Sequence, residues 1–598
     1  MDKKKKIRIW LPGWAMVLWL LVSLFSAGCA NRGMGPQGGP VDSIPPVPLK
    51  AEPENGSVNF TGNRIEVTFD EYIQLNNVAQ NMLMSPPQQT PPEVKARGKK
   101  LLIHFVDSLR DSTTYTIDFG SAVCDYNERV PLRGYAFAFA TGPTIDTLET
   151  FGLVVDAENL DPVYGVYAGI YSNLSDTAFV SEPFLRVART DSAGMFRIGN
   201  MRAGRYRLYA VDDISRDYRL TVGEALAFDP EPFTVDGAIS NNTMSNDTAS
   251  NDTVAEVPLH VLYLFREKQQ RLYLQRTLRE QQHCVRVLFS SAPDSLPIFR
   301  VLDDSVSFFP SYSQHADTVS LWLTDSLSIL RDSLFFEIRY RRTDSLYHLE
   351  WATDTLRAIW RAPRKAAKTP SYVLKPKALE LKCNARQGFE LNDTLLVLCS
   401  TPMALIEADS LHLLQVVDSL RKPLEFAIQK SDSTPMSFQV VAPMQPGQIY
   451  ELRLDSGALT DIYGVSNVYS SYTLQLRTPE DYSTLRVRLN PAVANARIQV
   501  LNNKDQVVRE MPVTDEGAYF QYLKADTYFL RMYIDLNGDG EWTTGSWTEA
   551  RQPEPIYYYP NSIQTKSNWY FEEEWDYRAV PQLDAKPKQL IHAAPKKK

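Results

Sequence analysis

Residues 64–69 read Arg-Ile-Glu-Val-Thr-Phe, with polar and apolar side chains in alternation, and three later stretches repeat the pattern. They are Leu101-Leu102-Ile103-His104-Phe105, Thr114-Tyr115-Thr116-Ile117-Asp118-Phe119 and Tyr135-Ala136-Phe137-Ala138-Phe139-Ala140. Successive side chains of a strand point to opposite faces, so a period of two marks a strand with one face buried. Strands this short, about every ten to twenty residues and without helical periodicity between them, predict a two-sheet sandwich. The sandwich is expected over residues 47–142.

The pattern changes after it without losing its β character. Gly152-Leu153-Val154-Val155-Asp156 opens a strand, and Pro162-Val163-Tyr164-Gly165-Val166 leads into the next. In Thr190-Asp191-Ser192-Ala193-Gly194-Met195-Phe196-Arg197-Ile198 the Asp-x-x-Gly predicts a tight turn, with Phe196 and Ile198 pointing into a core. Gly204 before Tyr206 starts the return strand. The second sandwich is placed at 148–235. The polar tract 236–257 reads as a disordered linker, being rich in Asn, Ser, Thr and Asp. A degenerate sandwich is placed at 258–362, where Val319 to Leu323 and Phe335 to Tyr340 are the clearest strands, and 362–369 reads as a basic joint. Residues 370–479 repeat the first sandwich and 483–577 the second, and 580–598 is expected to be a disordered tail. The fold class is all-β, with tandem sandwiches in an elongated chain.

Two resemblances follow from these residues. Pro45-Pro46, Pro53-Glu54-Asn55-Gly56, Phe69-Asp70-Glu71, the Tyr115 strand and Phe139-Ala140-Thr141-Gly142 resemble the bacterial Ig-like domain first described in surface-layer proteins. The Asp191–Ile198 turn and the Gly204 strand resemble the regulatory prealbumin-like module that trails carboxypeptidases, a sandwich without catalytic residues of its own. The whole layout is similar to Ig-like-domain lipoproteins of the Bacteroidota.

Composition bounds the function. A chain of 598 residues exceeds one hydrophobic core, and 44% hydrophobic with 22% charged residues is globular composition. The net charge of −8 is spread along the chain without a basic stripe, so nucleic acid is not an expected partner.

The amino terminus addresses the chain to a membrane. Lys3 to Lys6 and Arg8 are positive, Trp14 to Phe25 is apolar, and Ser26-Ala27-Gly28 brings small residues up to Cys29. This is a secretory signal peptide over 1–29 rather than a spanning helix, because the run is short and lacks a charged flank. Small residues before a cysteine resemble the lipobox, although Ser26 stands where leucine is commoner. The resemblance implies a diacylglyceryl thioether on Cys29, cleavage before it and acylation of its amine. Several acyl chains hold a protein on a bilayer stably, at about 0.8 kcal/mol per buried methylene. Residues 30–46 read as a flexible tether. Surface-exposed lipoproteins of such bacteria often carry acidic residues just after the lipidated cysteine. Ala30-Asn31-Arg32-Gly33-Met34 has none, which points to the periplasmic face and leaves the surface face open.

Other residues admit two readings each. Cys383 and Cys399 lie close enough in sequence to meet across adjacent strands, as a disulfide if their Cα atoms approach within about 7 Å, or as two free thiols. Asp535-Leu536-Asn537-Gly538-Asp539-Gly540 fits the first half of a calcium loop through Asp535, Asn537 and Asp539. The twelfth position is Ser546 instead of glutamate, and a structural turn satisfies the same residues. The recurrent Asp-Ser/Thr-x tripeptide is similar to the O-glycosylation acceptor of Bacteroides-type bacteria, with Thr248 and Thr253 the accessible copies, or else it starts strands after turns. Trp542, Trp547, Trp569 and Trp575 form either a sugar- or partner-binding surface or the core of a small sandwich.

The histidines are scattered singly, and neither a phosphate loop nor a nucleophile motif appears, so no catalytic residue and no enzyme is expected. No cofactor is implied beyond the calcium reading. The expected function is a non-catalytic envelope lipoprotein at the outer membrane, a structural, adhesion or assembly scaffold. Its partners are the membrane and a protein or glycan the sequence does not name. The alternative is a carbohydrate-binding accessory of a glycan-uptake system. An enzyme with a degenerate site would need a deep polar cleft.

Overall fold

The computed structural model describes residues 43–236, 260–267, 271–302, 306–313, 316–344, 349–361, 378–418, 420–430 and 435–591. The chain forms two compact units, Met1–Asp146 and Thr147–Lys598. Nearly all regular structure is strand, as the alternating sequence requires.

In the first unit, one sheet runs in the order Pro48–Glu52, Arg64–Phe69, Lys100–His104, Glu93–Arg97. The facing sheet is Leu83–Ser85, Thr114–Asp118, Ala136–Ala140. Ile65, Val67 and Phe69 from one strand meet Leu101, Ile103, Ile117, Phe137 and Phe139, all buried. Burying each such side chain stabilises the fold by about 1.5–3 kcal/mol. Tyr115 stacks on Phe139 at 5.4 Å, and its hydroxyl accepts the Arg110 amide at 2.7 Å. That bond ties the strand to the loop before it, the tyrosine corner of Ig-like sandwiches.

The fourth sandwich, in the second unit, is built by the same devices. Its sheets are Leu381–Cys383, Leu395–Cys399, Ser437–Val441, Ala427–Lys430 and Gln387–Phe389, Ser470–Leu476, Ile449–Leu454, Leu411–Val417, Leu420–Leu424. Tyr450 accepts the Gln445 amide at 2.6 Å, five residues upstream as in the first sandwich. Each of the two domains also has a short ribbon closed by an aspartate. Asp125 accepts the amides of Asn127, Glu128 and Val130, and Asp461 those of Tyr463 and Val465.

The second and fifth sandwiches share one topology. In the second, Leu148–Asp156 lies between Met195–Met201 and a parallel strand, His260–Leu264. In the fifth, Tyr482–Leu489 lies between Ala518–Lys524 and a parallel strand, Tyr570–Trp575. The facing sheets also correspond: Arg186–Arg189, Tyr167–Tyr171, Gly204–Val211, Leu226–Phe228 against Val507–Pro512, Ala496–Leu501, Thr527–Ile534, Ile556–Tyr558. The hairpin turns repeat as well. Gly194 and Gly517 both have positive φ, and a Cβ there would stand 2.5 Å from the Val154 carbonyl and 2.4 Å from the Val487 carbonyl. Only glycine fits. Asp191 accepts the amides of Ala193 and Met195, and Phe196 and Ile198 are buried in the core.

Two expected boundaries move. The strand His260–Leu264, assigned from sequence to the third domain, completes the second, because its parallel register with Gly152–Asp156 supplies a sheet edge from beyond the linker. The tail is ordered through 591: Ala585, Lys586 and Leu590 are buried. It carries no periodic pattern because it packs by single residues rather than by a strand face. The third sandwich pairs Leu274–Gln281, Cys284–Phe289, Thr318–Leu323, Phe308–Tyr312 with Ile298–Val301, Ser333–Thr343, Leu349–Ile359. Most of the linker (237–257) and the basic joint 362–369 lie outside the described residues.

Two tests follow from the fourth sandwich. Tyr450→Phe is expected to cost about 1 kcal/mol and to expose the Gln445 amide to hydrogen exchange. Glu451 is nearly buried, and hydrogen bonds from Arg453, Arg421 and Ser471 hold its carboxyl down at about 2 against the pull of burial. A depressed acid stabilises the fold above its unfolded value and loses that contribution as pH falls from about 4.5 towards 2. Glu451→Gln should flatten the acid sensitivity of this domain in that window, read by hydrogen exchange.

Candidate functional site

A cluster of polar and aromatic contacts in the larger unit forms the seam where the fifth sandwich returns to the second. The loop after Thr527–Ile534 carries Trp547, whose ring stands edge-on to Phe179 at 5.3 Å, Phe228 at 5.5 Å and Tyr209 at 5.6 Å. Its backbone amide donates to the Glu267 carboxylate. Thr544 donates to the Arg266 carbonyl at 3.3 Å and Gln552 to that of Phe228 at 2.9 Å. The backbones approach so closely that a Cβ on Gly545 would meet the Phe265 ring at 2.6 Å.

Beside this aromatic box lies a buried cation. Lys586, with its side chain 2% exposed, sits 2.6 Å from Asp161 and 3.2 Å from Asp505. It also donates to the Asn159 carbonyl at 2.8 Å and lies over the Tyr558 ring at 5.1 Å. Arg531 reaches the Glu158 carbonyl at 3.1 Å, and Tyr263 donates to Gln582 at 2.6 Å. An apolar layer of Val155, Leu160, Phe529, Ile556, Tyr558 and Leu590 continues the contact.

Smaller joints link the intervening domains. His283 of the third sandwich stacks on Trp322 at 5.8 Å and meets Tyr463 of the fourth edge-on at 5.2 Å, and burial holds its imidazole below the ordinary value. Glu390 of the fourth takes a hydrogen bond from Tyr482 at 2.7 Å and pairs with Lys524 of the fifth at 2.8 Å. The second unit is therefore tandem in sequence, while in space its last sandwich packs on its first.

The residues singled out from sequence are dispersed. Cys29, Thr248 and Thr253 lie outside the described residues. Cys383 and Cys399 are free. They sit on paired strands, but Cys383 faces Val397 and Cys399 faces Leu381, a diagonal offset of about 7–8 Å that a disulfide does not span. Burial pushes the Cys399 thiol up to about 12. The four tryptophans do not form one surface. Trp575 is core, Trp542 and Trp547 belong to the seam, and Trp569 is 57% exposed and stacks on Phe571 at 6.0 Å.

In the candidate calcium loop, the side chains serve the backbone. Asp535 accepts the amides of Gly538 and Gly540, Asn537 that of Asp539, and Asp539 that of Glu541. Glu554 closes the loop by accepting the amides of Leu536 and Thr543. Among the described residues no group of three or more His, Cys, Asp or Glu side chains is arranged to hold a metal. The same design recurs in the second sandwich: Asp213 accepts the amides of Arg216 and Tyr218, and Glu224 those of Ile214 and Thr221. Sequence reasoning missed Glu224 and reads Asp212-Asp213 as a solvated turn, whereas Asp213 is buried. The signal was present, since Asp213-x-Ser215-x-Asp217 follows its strand as Asp535-x-Asn537-x-Asp539 follows its own.

Two cavities bear on catalysis. An open groove of about 630 Å³ in the fourth sandwich is lined by Ala408, Pro423, Leu424, Glu425, Phe426 and Ile428. One of about 230 Å³ in the third is lined by Arg331, Ser333 and apolar neighbours. Among their described lining residues, neither brings together a nucleophile and a base or two carboxylates.

Residues 42–141 match the family described as bacterial Ig-like domain, which places the first unit in that class of sandwich. Among curated proteins, none matches the chain. Solved structures align at low similarity. The N-terminal part of the bacterial S-layer protein SbsC is 9% identical, covering 26% of this chain and 41% of that one, with a TM-score of 0.16. The Bacillus anthracis TIE protein is 10% identical, covering 94% and 79%, with a TM-score of 0.13. A Bacteroides ovatus mixed-linkage glucan utilisation protein, SGBP-B, is 11% identical, covering 63% and 88%, with a TM-score of 0.15.

The seam is testable. Lys586→Ala leaves two carboxylates facing each other without a cation and is expected to destabilise the contact by about 3–5 kcal/mol. Limited proteolysis is expected to cut within 578–591 in the variant and to spare that segment in the parent chain. Unchanged protection would mean that the apolar layer alone holds the seam.

Proposed function

We propose that the chain is a lipid-anchored, non-catalytic scaffold of the bacterial outer membrane, acting in adhesion or envelope assembly. The signal peptide ending in Ser26-Ala27-Gly28-Cys29 carries this reading, since acyl chains on Cys29 would fix the sandwiches to a bilayer through the 30–46 tether. The architecture supports it. Loop carboxylates that resemble metal or acid–base groups are engaged by backbone amides. The absence of acidic residues in 30–34 favours the periplasmic face, for which protection from protease added to intact cells is the expected result.

Intact mass of the protein extracted from its native envelope tests the anchor. A chain beginning at Cys29 with added acyl mass, lost in Cys29→Ala, is expected, and hexose increments removed by Thr248→Ala and Thr253→Ala would extend the reading to glycosylation. A chain still beginning at Met1, or cleaved elsewhere without lipid, would overturn the anchor.

A second reading, a carbohydrate-binding accessory, draws on the exposure of Trp569 and its stack with Phe571. Glycan-array binding that disappears in Trp569→Ala is its expected signature.

A further inference from the structure

The outer face of one sheet in the third sandwich stands apart from the rest of this acidic chain. The strands Ile298–Val301, Ser333–Thr343 and Leu349–Ile359 bury one face, through Leu334, Phe336, Ile338, Tyr340, Leu356 and Ala358. Alternation turns the other set outward, with Arg300, Phe335, Arg339, Arg341, Trp351 and Arg357 on this face and Glu337 between Phe335 and Arg339. Phe335 is 46% exposed and Trp351 50%, although both lie within strands.

The register places these groups together. Phe335 faces Arg357, Arg341 faces Trp351, and Arg339 faces Thr353. Guanidinium groups lie over both rings, Arg339 5.0 Å from the Trp351 centroid and Arg357 5.8 Å from that of Phe335. Arg341 is paired with Asp294 at 2.7 Å. Arg300, Arg339 and Arg357 have no ion-pair partner among the described residues, although Glu337 lies opposite Arg300 in register. The face therefore offers three guanidinium groups without an ion-pair partner among the described residues, two of them lying over aromatic rings, with Thr353 and Thr355 on the same face, on a chain whose net charge is −8.

We infer that this face binds an anionic polysaccharide, specifically a polyuronate chain. Each part of the surface matches one part of that ligand. Guanidinium groups bind carboxylates with charge-assisted, often bidentate hydrogen bonds. An exposed indole stacks on the apolar face of a pyranose ring, and threonine hydroxyls exchange hydrogen bonds with sugar hydroxyls. The groups that carry the proposal project from the sheet face, with Phe335 and Arg339 on its central strand, whereas a peptide adding its backbone would pair along an edge strand. It deepens the scaffold reading by naming the chemistry to which the scaffold adheres.

The test uses the full chain without its leader, so its result is independent of lipid anchoring. Binding to immobilised polygalacturonate is measured at low salt and at about 0.15 M, where the Debye length falls to about 8 Å. The wild type is expected to bind, and Arg300→Ala/Arg339→Ala/Arg357→Ala to bind at least tenfold more weakly. Trp351→Ala should lose several-fold at both salt concentrations, with unaltered thermal melting in both variants because these side chains lie outside the core. Arg339→Lys keeps the charge but loses the planar fork, and an intermediate loss is expected. Absence of binding, or binding unchanged by the triple substitution, overturns the proposal. So does equal or tighter binding of polyglutamate or oligo-deoxythymidine that Trp351→Ala leaves intact, which would reduce the face to a protein- or nucleic-acid-binding charge patch.

Discussion

An ammonium group held away from water between two carboxylates governs the arrangement of the larger unit. Taking a charged group out of solvent costs several kcal/mol, and the cost is offset only when all of its partners are in place. Here the partners come from different parts of the chain: Asp161 and the Asn159 carbonyl from the second sandwich, Asp505 and Tyr558 from the fifth, and Lys586 from the segment beyond the last strand. A seam made only of Leu160, Phe529 and Leu590 would tolerate sliding, because apolar contact is non-directional. The ion cluster and the aromatic box around Trp547 admit one register.

Much of the fold was legible because it obeys two simple rules. Period-two alternation located Arg64–Phe69 and Thr114–Asp118, and Asp-x-x-Gly located the turn before Phe196. The pairing of His260–Leu264 was not legible. A parallel strand supplied from beyond a polar tract has no local signature, and its five residues read equally well as the start of another domain. The tail escaped for a related reason. Lys586 and Leu590 act as isolated plugs, and a pattern-based reading sees only prolines and lysines there.

The two readings of each candidate group separate on physical grounds that the sequence contains only in part. Asp535 and Asn537 look like ligands because calcium loops and turns need the same oxygens, and only the position of the amides separates the two uses. Recognising that Asp213 and Glu224 form the same closure with Ser215 in place of Asn537 would have strengthened the turn reading. The tryptophans illustrate the opposite limit. Four rings between 542 and 575 admitted either one surface or a core, and strand alternation and the return of the loop send Trp575 inward, Trp547 sideways into the seam and Trp569 out.

The parallel pairing of first and last strands in the second and fifth sandwiches has a mechanical meaning. The chain reaches the second sandwich at the start of Leu148–Asp156 and leaves at the end of the neighbouring His260–Leu264, which runs in the same direction. Tension between those two points slides one strand along the other, so the ladder bonds share the load instead of opening one at a time. Tyr482–Leu489 and Tyr570–Trp575 reproduce the arrangement over six paired positions. In each of these two modules the terminal strands are therefore loaded in shear, the fifth only once the seam through Lys586 has given way.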